Sequence, residues 1–112
     1  VSNAVVISTP YTLGEIPPPL SYTFLDSTGA AIDLFGYQAD FSCQEHDGSP
    51  FGGSASVSDP TNGVVTYIWT GAEFATAGRY TAYLWCGNGT QRYASVPIQF
   101  TVQLPVGAVP EI

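Results

Sequence analysis

Gly78-Arg79-Tyr80-Thr81-Ala82-Tyr83-Leu84-Trp85-Cys86 decides the fold. Side chains two apart on a strand share a face, so Tyr80, Ala82, Leu84 and Cys86 make one apolar side and Thr81, Tyr83 and Trp85 the other. Both sides carry bulk, so this strand either lies between other strands or presents a face that a partner protein covers. The same period of two recurs upstream. Val65, Tyr67 and Trp69 alternate with Val64, Thr66 and Ile68, while Tyr37, Ala39, Phe41 and Cys43 oppose Gln38, Asp40 and Ser42, and Tyr22 shares a side with Phe24.

Glycine, proline, asparagine and aspartate bound each burst, and no helical stripe appears anywhere. Strands are expected near residues 3–8, 20–25, 36–45, 54–58, 64–70, 79–86 and 92–103, about seven in all, in one immunoglobulin-like antiparallel β-sandwich. Asp59-Pro60-Thr61-Asn62-Gly63 and Cys86-Gly87-Asn88-Gly89-Thr90 are hairpin turns, and Gly71 to Gly78 is expected to hold one helical turn across the end of the sandwich. Pro10 and Pro17-Pro18-Pro19 cannot join a sheet interior, so residues 1–19 read as an edge strand or arm and residues 105–112 as an extended tail. With 112 residues there is room for one core.

Nine acids against two arginines, Arg79 and Arg92, and no lysine give a formal charge of -7, which argues against nucleic acid and against an anionic membrane surface. Only 10% of residues are charged, and such a surface suits burial in an assembly. No apolar run approaches the roughly 20 residues of a membrane-spanning helix. Val1-Ser2-Asn3 lacks the features of a secretory signal, so either a signal has been removed or the chain never carried one, and the small first side chain fits loss of an initiator methionine in a chain made in the cytoplasm.

Few residues invite chemistry. His46, in Gln44-Glu45-His46-Asp47-Gly48, is the only histidine and reads as a polar strand end running into a turn, so no catalytic residue is expected. Asp26, Asp33, Asp40, Glu45 and Asp47 lack the spacing of a calcium loop, and Asp26 is expected to shape a turn; no metal site is assigned. Asn88-Gly89-Thr90 fits an N-glycosylation pattern but is explained as a hairpin tip. Tyr83, Trp85 and Tyr93 form a candidate aromatic contact surface, which would serve a sugar-binding module as well as a protein interface.

Gly78 and Tyr80 look like a tyrosine corner, in which the hydroxyl bonds upstream backbone, although Ala82 stands where antibody-type domains have cysteine. The order Tyr22-Thr23-Phe24-Leu25, Asp26-Ser27-Thr28-Gly29, Ile32-Asp33-Leu34-Phe35-Gly36, Asn62-Gly63-Val64-Val65-Thr66-Tyr67 and Ala77-Gly78-Arg79-Tyr80-Thr81-Ala82 resembles the N-terminal domain of the phage baseplate upper protein family. That resemblance spans about residues 20–103. It implies a structural module of the virion, an adaptor at the tail or baseplate, bound to other virion proteins in multiple copies, with no enzyme activity and no cofactor. The chain ends soon after the sandwich without a fibre-bearing region, so capsid decoration is an alternative, and a secreted carbohydrate- or receptor-binding module is another.

Cys43 and Cys86 first suggest the inter-sheet disulfide of secreted immunoglobulin-like domains. Near the C-terminal ends of the third and sixth strands, antiparallel neighbours in that layout, they would lie at opposite ends of the sheet and stay free thiols. Were residues 36–45 the second strand, a bridge would be feasible.

Overall fold

The computed structural model describes residues 5–7, 10–46, 48–74 and 76–107. Within them the chain is all-β, with strands β1 (Val5–Val6), β2 (Tyr11–Thr12), β3 (Leu20–Thr23), β4 (Gln38–Glu45), β5 (Pro50–Asp59), β6 (Val64–Tyr67), β7 (Gly78–Gly87), β8 (Arg92–Ala94) and β9 (Ile98–Gln103). One 3-10 turn, Ala72–Phe74, occupies the place expected for a helical turn. The strands follow one path, β1-β9-β7-β4-β5-β6-β3, with β2 also on β9 and β8 also on β7.

The sheet curls about β5. Its first half pairs with β4, from Gln44↔Pro50 to Ala39↔Ala55, and its second half pairs with β6, with a register shift between Val57 and Asp59. A strand shared in this way turns the inner faces of its neighbours toward each other. Phe41 of β4 therefore stacks on Tyr67 of β6 with ring centroids 3.9 Å apart. Gly53 leaves room beside that stack, since a Cβ there would stand 3.3 Å from the Tyr67 ring, closer than ordinary van der Waals contact. Around this pair Trp69, Phe74, Tyr80, Leu84, Ile98 and Phe100 are buried, and burial of such side chains is worth roughly 1.5–3 kcal/mol each.

Several boundaries differ from expectation. The stretch 92–103 is two strands because Pro97 has no N–H for the ladder, and the Ser95 hydroxyl takes over by accepting the Leu84 amide at 3.0 Å and donating to the Val96 carbonyl. The strand expected at 54–58 begins at Pro50. Among the described residues of the N-terminus, Val5–Val6 and Tyr11–Thr12 are strands, and both run parallel to β9 at the sheet's edge. Tyr11 goes further than an arm would, since its ring lies 4.9 Å from Phe74 and 5.5 Å from Phe100. Residues 1–4 and 8–9 of the expected arm, and 108–112 of the expected tail, lie outside the described residues.

The strand order expected around the cysteines holds. On the β4–β7 ladder Cys43 faces Ala82 and Cys86 faces Ala39, so the thiols are four residues apart along the sheet (43 minus 39). At about 3.4 Å per residue that is roughly 13 Å, past the about 7 Å a disulfide spans. Both are buried free thiols.

Candidate interaction surface

Strands β9, β7, β4 and β5 present one broad outer face, whose rows are fixed by the ladders. Asp40 faces Trp85 on one side and Ser54 on the other, Ser42 likewise faces Tyr83 and Gly52, Thr81 faces Gln44 and Gln99, and Arg79 faces Thr101. Arg92 of β8 faces Gly87 at the same end of the sheet as Gln38. Both arginines of the chain thus project from this face.

Trp85 is its centre. The indole N–H donates to Ser42 Oγ at 2.8 Å, which fixes the ring's orientation on a strand hydrogen-bonded on both sides. Tyr83 lies 6.1 Å away, tilted at 47°. Beside the indole, Asp40, Ser42, Gly52, Ser54 and Arg92 line an open depression of about 580 Å³.

The structure divides the three aromatic residues expected to act together. Tyr83 and Trp85 share the outer face, but Tyr93 pairs with Cys86 and so points to the inner side, where it stacks on Tyr37 at 6.1 Å. The turn through Asn88 sets that register: the Asn88 carboxamide oxygen accepts the Thr90 and Gln91 amides, and Gln91 Oε1 in turn accepts both the Tyr37 and Tyr93 hydroxyls. Tyr80, expected with Gly78 as a tyrosine corner, is buried and its hydroxyl donates to the Thr76 carbonyl four residues upstream. Gly78 has φ 152 and leads into the strand beside Glu45.

The remaining polar residues serve local structure. Asp26 Oδ1 accepts the Thr28 and Ala30 amides and the Thr28 hydroxyl, and these bonds, the hydroxyl's foremost, hold its carboxyl below the usual range. The His46 amide donates to the Arg79 carbonyl, extending the β4–β7 ladder by one bond. Among the described residues no group of three or more His, Cys, Asp or Glu is placed to hold a metal ion. Sequence reasoning missed Glu73, a buried carboxylate that accepts the Tyr67 hydroxyl and the Thr70 and Gly71 amides. It also missed the pairing of Asp40 with Trp85, which only the register reveals.

A family model described as the BppU N-terminal domain matches residues 26–104. The chain belongs to this family. The matched region runs from the Asp26 turn to just beyond β9 and contains every residue of the outer face described above. Membership makes this BppU N-terminal domain a structural protein of the phage baseplate or tail, and so a virion component. No curated protein matches the chain.

Proposed function

We propose that this BppU N-terminal domain is an adaptor module of the phage tail or baseplate, non-enzymatic, held by contacts with other virion proteins and present in several copies per particle. The family match over residues 26–104 carries this reading. Two physical features support it. The sheet is open, and among the described residues β3 pairs with β6 alone, leaving the other side of Leu20–Thr23 as a template for an added strand. Moreover, Ile16, Ile68, Leu104 and Val106 are exposed by 65%, 66%, 70% and 105%. All four lie at the end of the sheet where β3 begins and β6 and β9 finish. Apolar side chains gathered at one end, next to Pro17-Pro18-Pro19 and Pro105, suit burial against a neighbouring subunit.

Mass spectrometry of purified particles and immunolabelling test the reading. Label at the tail tip is the expected result, and a double variant Ile68→Asp with Leu104→Asp should fold normally yet be lost from particles. Label on the head would assign the protein to capsid decoration, and absence from particles would end the virion reading altogether.

A further inference from the structure

The depression beside Trp85 has a composition that a protein docking site does not require. Ala94 faces Trp85 on one side and Asp40 on the other, with Ser54 and Gly52 beyond β4 and the Tyr83 ring 6.1 Å away along the strand. The indole is partly buried, and it lines the depression together with Asp40 and Arg92. The bond to Ser42 holds it in one orientation, and it stands on a central strand, so the shelf is formed in advance of any ligand. Two ionic groups border the shelf. Asp40 and Arg92 line the same depression, and neither side chain makes a hydrogen bond or ion pair with another described residue.

We propose that this shelf binds a pyranose ring of a carbohydrate. A pyranose has an apolar C–H face that lies on an aromatic ring and a rim of hydroxyls that needs directional partners. Here Trp85 supplies the ring, the Asp40 carboxylate accepts from one hydroxyl of a neighbouring pair, and the Arg92 guanidinium donates to the other. The net charge of -7 disfavours anionic sugars. This goes beyond the adaptor reading and does not depend on it, since the apolar end of the sheet is a different surface.

The two tryptophans provide the test. Trp69 is buried and Trp85 lies on the outer face, so in a proton–nitrogen correlation spectrum the Trp69 indole signal is an internal control for the Trp85 signal. The full chain is titrated with the methyl glycosides of glucose, galactose, N-acetylglucosamine and rhamnose. Saturable shifts are expected at the Trp85 indole and at the amides of Asp40, Ser42 and Gly52 for at least one sugar, with Trp69 unmoved. Trp85→Ala and Asp40→Ala should each weaken that binding by roughly tenfold or more. No saturable shift with any of the four sugars overturns the proposal, as do shifts that persist unchanged in both variants. It is also overturned if Trp85→Ala, correctly folded, disappears from particles, because a protein would then cover the shelf.

Discussion

Glu73 keeps a charge inside the protein. Burial alone would raise its carboxyl, but the Tyr67 hydroxyl and the amides of Thr70 and Gly71 outweigh that and hold it below its ordinary value. A folded-state value below the unfolded one gives stabilisation that is present above about pH 4.3 and lost as pH falls through the depressed folded value. Glu73→Gln should therefore cost about 1–3 kcal/mol at neutral pH, since its amide group donates where acceptors are needed. Urea titrations at descending pH check this: wild type should lose its advantage over the variant below about pH 4, and parallel curves would refute it. Cys43 makes the complementary case on the alkaline side, because burial pushes its thiol up to about 12. Native protein at about pH 8 should resist iodoacetamide, while unreduced, denatured protein should gain two alkyl groups by intact mass. No gain on denaturation would contradict the β4–β7 register. Cys43 was legible because strand order alone separates it from Cys86, whereas Glu73 looked like an ordinary loop residue. Its donors are a turn's backbone and a tyrosine six positions away, which no local pattern reveals.

Elements were legible where alternation was long. Strands β4 and β7 repeat their period over eight and ten residues, and their buried faces coincide with the apolar sets read from the sequence. Strands β1 and β2, of two residues each, are too short to show a period. Tyr93 points away from Tyr83 and Trp85 because the turn after Cys86, not the strand pattern, determines which way β8 faces. Turn glycines, by contrast, can be ranked by what surrounds them. Gly63 closes the β5–β6 hairpin with φ 69, and a Cβ there would stand 2.8 Å from the carbonyl oxygens of Phe24 and Ile32. Gly29 has a similar φ of 86 with nothing within 4 Å. Gly29→Ala should cost about 1 kcal/mol, the backbone penalty alone, and Gly63→Ala roughly 3 kcal/mol or more because two strands' connections must also move. Thermal melts of the pair decide it, and equal losses would show that the hairpin relaxes freely around Gly63.

At the scale of the whole molecule, the family match leaves out the first three strands, yet an aromatic cluster ties β2 to the matched region. Tyr11 stacks on Phe74 and lies 5.9 Å from Trp69 and 5.5 Å from Phe100, so it touches groups from the 3-10 turn, the segment just after β6 and strand β9. Within the same cluster Trp69 is buried, with no acceptor for its indole N–H among the described residues. The N-terminal segment therefore belongs to the cooperative unit that folds, although the sequence offered it only as an edge strand or arm. Tyr11→Ala should lower stability by about 2–4 kcal/mol, somewhat under the about 3–5 kcal/mol of a fully buried aromatic because Tyr11 is half-buried. Leu104→Ala, at an exposed site beyond the last strand, should stay within about 0.5 kcal/mol of wild type. Both are read from urea unfolding monitored by tryptophan fluorescence and by circular dichroism. Coincident transitions shifted only in Tyr11→Ala are expected, and a Tyr11→Ala curve that overlays Leu104→Ala would mean that the core closes without the N-terminal strands.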